Sequence, residues 1–145
     1  MIEDCVRRLV LCINRIDGKY YDLARDNSAG ENEVAVLCTL ADGGVHSQKS
    51  ICEEWLIPKT TINTVVHKML GEGLVKVTNH SGKEKMLALT DEGKTYADRT
   101  LAGMRAAELS AMQKTLERFS PQFIDAMEAF AQYFIDYKEE KNGNR

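Results

Sequence analysis

The sequence has neither a long apolar run nor a leader-like start. No apolar run in its 145 residues approaches the length of roughly 18 residues that would suggest a membrane span. The start, Met1–Arg8, carries acids and arginines where a signal peptide needs a basic flank and then an apolar block. We therefore expect a cytoplasmic protein with no membrane partner, made where thiols stay reduced.

Cysteine and histidine are scarce and lack the spacings of metal ligands. The four cysteines form no C-x-x-C pair and are Cys5, Cys12, Cys38 and Cys52. Free cysteines are usually small buried hydrophobic side chains. A redox-sensing thiol at Cys12 or Cys5 is the alternative, because a reactive thiol needs a basic setting and arginines lie nearby in the sequence. We expect no bound metal and no cofactor.

Catalytic constellations are missing too. No nucleophile–base pairing, glycine-rich phosphate loop or paired carboxylates stand out, so we do not expect an enzyme. The content of 43% hydrophobic and 28% charged residues is typical of an ordinary globular protein. The length suits a single domain, 1–145.

The net charge of −3 hides an uneven distribution. Residues 1–44 carry five basic and eight acidic side chains, and residues 86–145 carry eight and ten. Residues 45–85 carry six basic and four acidic side chains, a local excess of +2. Nucleic-acid affinity depends on a local basic face more than on the overall charge. Segment 45–85 is therefore the candidate for a nucleic-acid surface.

Apolar residues at three- and four-residue steps predict a mainly α fold. The predicted helices span about 2–26, 31–40, 48–55, 58–71, 91–119 and 121–137, and the predicted strands about 74–78 and 85–89. Ser47 and Thr90 are predicted to cap helices, and residues 79–82 have the composition of a hairpin turn.

A short helix, a tight turn, a second helix and a hairpin make the winged helix-turn-helix arrangement. We place this lobe at about 31–90. The long N- and C-terminal helices, about 1–26 and 91–140, carry apolar stripes that one small domain cannot cover. We expect them to form a dimerisation region in a homodimer.

Three segments carry a resemblance to a known family. Pro58–Asn63, Gly73-Leu74-Val75 and Leu89–Gly93 resemble the recognition helix, the exit into the wing and the return from the wing in the MarR family (multiple-antibiotic-resistance-type regulators) of bacterial transcription factors. The resemblance covers essentially the whole chain and implies a DNA-binding transcriptional regulator.

The chain departs from the family pattern at two basic positions. Thr64 stands where the family usually has an arginine in the recognition helix. Ser81 and Lys83 stand where the wing tip usually has an Asp-x-Arg pair. Lys83 can contact a phosphate, but without the planar two-pronged geometry of arginine.

The outer side of the fourth helix is the predicted reading surface. With the apolar stripe turned inward, short hydroxyl and amide side chains face outward. Asparagine pairs with adenine, and the threonine methyl contacts that of thymine. The start of the preceding helix and the lysines of the hairpin suit phosphate contacts. The predicted DNA-binding residues are Ser47, Gln48, Lys49, Lys59, Thr60, Thr61, Asn63, Thr64, His67, Lys68, Lys76, Ser81, Lys83 and Lys85.

Our functional hypothesis is a homodimeric repressor of a pseudo-palindromic operator on double-stranded DNA, relieved by a small-molecule or oxidant effector. The resemblance implies an effector pocket, for which Tyr20 and Tyr21 are the aromatic candidates; Cys12 is the redox candidate. The alternative is a winged-helix module for protein–protein interaction without sequence-specific DNA binding. Salt dependence separates the two, because phosphate contacts release counterions.

Overall fold

This computed structural model describes residues 1–26, 29–82 and 84–138, without the side chains of 79–81. The described part contains six helices and three short strands. The helices are α1 (Ile2–Arg25), α2 (Glu31–Leu40), α3 (Gln48–Trp55), α4 (Lys59–Gly71), α5 (Asp91–Leu116) and α6 (Gln122–Asp136). The strands are β1 (His46–Ser47), β2 (Val75–Ser81) and β3 (Glu84–Leu89). The predicted mainly α winged helix-turn-helix fold with long terminal helices is confirmed.

The chain forms two compact units that divide between Ala106 and Ala107. The first unit contains the buried core, whose largest fully buried side chains are Val36, Leu37, Leu40, Ile51, Ile62, Val66, Met69, Leu87 and Leu101. Helix α6 lies in the second unit and has no buried residue. Among the described residues, no helix combines the length and the apolar character needed to cross a membrane.

Helix α2 is buried on nearly all sides. Seven of its ten residues are buried, including the charged Glu33. The helix contacts α1, α3, α4 and β3, so it presents no broad solvent face. A helix surrounded in this way needs apolar residues all round rather than along one stripe. It supports the two helices of the helix-turn-helix motif from behind.

The sheet differs from the predicted hairpin in two ways. It has three antiparallel strands in the order β1-β3-β2, and β1, two residues long, was not predicted. A two-residue strand has no measurable periodicity. The predicted turn at 79–82 was also wrong for 79–81, because β2 continues to Ser81 with a bulge between Val77 and His80. Gly82, directly after β2, has a left-handed backbone at φ 67°.

Thr90 ties the wing to the start of α5. Its hydroxyl donates to the carbonyl of Gly73 and accepts the N–H of Gly93, and the predicted cap is confirmed. The Thr90 N–H also donates to the carbonyl of Leu74 (3.1 Å). Pro58 lies one residue outside α4, and α5 ends at Leu116, short of its predicted end.

Candidate nucleic-acid interface

A short turn of three residues connects α3 and α4. The side chain of Ser47 caps α3 by accepting the N–H of Ser50 (3.0 Å), as predicted. After α3, Leu56 adopts a left-handed backbone at φ 51°, and the Ile57 N–H donates to the carbonyl of Cys52 (3.1 Å). This left-handed residue ends α3, and α4 begins three residues later at Lys59.

Helix α4 has a buried inner side and a polar outer side. Ile62, Val66 and Met69 are fully buried, so the outward direction of the other residues is fixed by packing. The predicted reading residues Lys59, Thr60, Asn63, Thr64, His67 and Lys68 are exposed, and Thr61 is half-buried. The Thr64 hydroxyl donates to the carbonyl of Thr60 (3.1 Å), so part of its hydrogen-bonding capacity is used within the helix.

Lys68 is bound to a buried carboxylate on another helix. Its ammonium group donates to Oε2 of Glu33 (2.9 Å), whose side chain is only 5% exposed. The hydroxyl of Tyr96 in α5 donates to the other carboxylate oxygen (2.8 Å). The hydrogen bond with Glu33 raises the pKa of Lys68, and Glu72 adds to the rise from 3.8 Å. The charge of Lys68 is thus largely compensated inside the protein.

No pattern in the sequence indicates this contact. Glu33 and Lys68 lie 35 positions apart, and an acid in the first turn of α2 is also ordinary helix-dipole chemistry. Glu33 follows Glu31 and Asn32 and directly precedes the apolar run that starts at Val34, so its burial is not visible in the sequence, although buried carboxylates in proteins are normally paired.

Gln48 is the predicted contact residue that lies most deeply. Its side chain is part of the interior, and the residue is 9% exposed. Its amide nitrogen donates to Oδ1 of Asn63 on α4 (3.3 Å), while its Oε1 is buried without a hydrogen-bond partner among the described residues. The backbone N–H groups at the start of α3 still suit a phosphate, but the Gln48 side chain contacts α4.

A groove of about 530 Å³ runs between α3, the start of α4 and β3. It brings together predicted residues from all three elements and is lined by Gln48, Lys49, Cys52, Glu53, Lys59, Asn63, Glu84 and Lys85. Three lysines face two glutamates here, and Lys49 lies 3.8 Å from Glu53. Lys76 is exposed on β2. The predicted contacts of the Ser81 side chain and of Lys83 lie outside the described residues.

The loop that leads into β1 is fastened by Asp42. Its carboxylate accepts the N–H of Gly44 (2.7 Å) and lies 2.8 Å from Nε2 of His46. The Gly44 N–H, and then His46, lower the pKa of Asp42. Since His46 pairs with Leu87 of β3, this contact joins the loop to the central strand of the sheet.

The predicted sensing residues lie on α1. Cys5, Cys12, Tyr20 and Tyr21 are all exposed, and Arg25 lies over the Tyr21 ring at 6.0 Å from its centroid. Their roles stay predictions. The simpler interpretation, that the cysteines are small buried side chains, was wrong for Cys5 and Cys12, which are exposed; Cys38 and Cys52 are half-buried. The described residues contain no group of three or more His, Cys, Asp and Glu able to hold a metal.

The chain is similar to solved regulators over most of its length. A MarR family regulator from Neisseria meningitidis is 25% identical, with a TM-score of 0.70 over 90% of this chain and 93% of that one. A MarR family transcriptional regulator from Silicibacter pomeroyi is 18% identical, with a TM-score of 0.71 over 89% and 93%. BpsR of Bordetella bronchiseptica, whose DNA binding is regulated by 6-hydroxynicotinic acid, is 18% identical, with a TM-score of 0.60 over 95% of each chain.

By sequence alone, the chain is similar to a known protein over a shorter stretch. No protein-family profile matches the chain. A phenylalanine–tRNA ligase alpha subunit from Pyrococcus abyssi is 33% identical over 85 residues, which are 59% of this chain but 17% of that protein. The chain therefore spans only a small part of this curated relative.

The two helices, their left-handed turn and the three-stranded sheet define a winged helix-turn-helix protein. Within that class, the chain has the fold of the MarR family of transcriptional regulators, as its sequence motifs implied.

Proposed function

We propose that the protein is a transcriptional regulator that binds double-stranded DNA as a homodimer, with α4 in the major groove. The main observation behind this proposal is the outer side of α4, whose polar residues are exposed beside a groove lined by three lysines and two glutamates. Short polar side chains read base edges, and lysines around them hold phosphates. The similar solved regulators support this function.

The finer parts of the proposal concern regulation. We propose a repressor of a pseudo-palindromic operator, released by a small aromatic effector or by oxidation of an exposed thiol. The effector regulation of the Bordetella bronchiseptica relative supports a ligand of this kind. Such a ligand would act by favouring dimers whose two recognition helices no longer match successive grooves. We expect a cytoplasmic protein that catalyses no reaction.

The test is a salt titration of binding to DNA from just upstream of the protein's own gene. A DNA reader loses affinity steeply as salt rises, because phosphate contacts release counterions. Thr61→Ala and Asn63→Ala should weaken specific binding about five- to tenfold or more and leave the dimer intact. Lys85→Ala should lower affinity on all sequences and reduce the salt slope by about one.

Matched controls come from α5. Thr95 and Lys94 are exposed and lie outside the proposed interface, so Thr95→Ala and Lys94→Ala should change neither specificity nor slope. Little duplex binding at any salt would favour the protein-interaction module instead. The exposed Leu56 in the turn between α3 and α4 is the observation that supports that second candidate.

A further inference from the structure

Gln48 and Asn63 form an amide pair that connects the interior to the proposed reading surface. Gln48 is buried at the start of α3, whereas Asn63 is exposed on α4. The Gln48 Nε2 donates to Oδ1 of Asn63 (3.3 Å). The oxygen and nitrogen of an amide point in different directions from one carbon, so the Asn63 NH₂ group is turned away from Gln48.

Stability does not explain an amide at position 48. Its Oε1 is buried without a partner among the described residues, and a buried acceptor that loses water without gaining a donor destabilises the fold. A methionine of similar length would fill the same space without an unpaired polar atom. What the glutamine supplies, and methionine cannot, is the hydrogen bond to Asn63.

We propose that Gln48 is a specificity-determining residue that acts by positioning Asn63. With Oδ1 held by Gln48, Asn63 presents its NH₂ donors to the major groove. Guanine offers two acceptors there, N7 and O6, whereas cytosine offers the N4 donor. Asn63 then selects guanine over cytosine at the base that it faces. The inference rests on the proposed DNA binding and adds the kind of base that is read.

The experiment selects the DNA duplexes that each protein binds from a pool whose central base pairs are randomised. It compares the full-length wild-type protein with Gln48→Met, Asn63→Ala and the double variant. The wild-type protein should show one position per half-site that prefers guanine over cytosine. Gln48→Met should reduce that preference about five- to tenfold and leave the other positions unchanged. In the Asn63→Ala background, Gln48→Met should have no further effect, because the two residues act as a unit.

Stability provides the second readout. The urea midpoint of Gln48→Met should equal or exceed that of the wild-type protein, since the variant removes an unpaired acceptor. A lower midpoint with an unchanged base preference would make Gln48 a packing residue and overturn the inference. If Gln48→Met lost base preference equally at every position of the half-site, the inference would also be overturned.

The two proposals fail in different ways. A wild-type protein that binds the pool in a salt-dependent manner, with the same base preferences as Gln48→Met, overturns the positioning role alone. A wild-type protein without salt-dependent duplex binding overturns the proposed function and this inference together.

Discussion

At Gly93 the first turn of α5 passes so close to the chain before β2 that a Cβ would lie 1.8 Å from the carbonyl oxygen of Leu74. The contact partner is backbone, which cannot rotate away. The sequence motif Leu89–Gly93 thus has a physical reason: Thr90 caps the helix and holds the wing, and Gly93 permits the approach.

Gly93→Ala should therefore destabilise the protein by about 3 kcal/mol or more, because the added methyl must displace backbone. Urea denaturation measures the change. Gly103→Ala is the matched control on the same helix, since nothing lies within 4 Å of its Cβ position. That control should gain up to about 1 kcal/mol from the better helix propensity of alanine. Similar stability of the two variants would show that no close approach exists at Gly93.

At the scale of elements, the sequence predicted the helices better than their contacts. Helix α2, the cap at Ser47 and the polar side of α4 follow from composition and spacing, which are local properties. Strand β1 forms by pairing with the edge of β3. Its two residues alone have no sequence pattern that would predict this pairing.

The same limit applies to the candidate site. The exposure of Asn63 follows from the apolar stripe of α4. The inward position of Gln48 and the attachment of Lys68 to Glu33 depend on tertiary packing across 15 and 35 positions. Sequence spacing cannot distinguish a lysine that contacts a DNA phosphate from one that pairs with a buried carboxylate.

Lys68→Met tests this distinction. The change leaves the Glu33 carboxylate buried with Tyr96 but without its cation, and it should cost about 1–2 kcal/mol, a value reduced because the ammonium is partly exposed. Below the ordinary lysine pKa of 10.5 this stabilisation is complete. Because folding raises the pKa of Lys68, the difference between wild type and variant should shrink as the pH rises through the folded value.

Two comparisons complete that test. Lys68→Arg can still donate to Glu33 and should recover most of the lost stability. The salt slope of DNA binding should stay unchanged in Lys68→Met, in contrast with Lys85→Ala. A lower slope with unchanged stability would make Lys68 a phosphate contact and contradict the ion pair as its main role.

At the scale of the whole molecule, α6 exposes several large apolar side chains. Tyr133, Phe134 and Ile135 are 76%, 74% and 74% exposed, and the helix has no buried residue. Exposed large apolar groups of this density mark interaction surfaces. Together with the apolar stripe predicted for α1, they support the proposed homodimer.

Phe134→Glu should therefore weaken dimerisation on the order of 100-fold, because a carboxylate would be buried without a partner in the interface. Analytical ultracentrifugation over a concentration series measures the change. Gln132→Lys adds a charge about 200° round the helix from Phe134, next to Asp136, and should leave the dimer intact. Under the proposed function, operator affinity should fall with dimer content, since each monomer would carry one recognition helix and two half-sites bind together more tightly than either alone. A Phe134→Glu variant that stays dimeric would exclude α6 from the interface, whatever its DNA affinity.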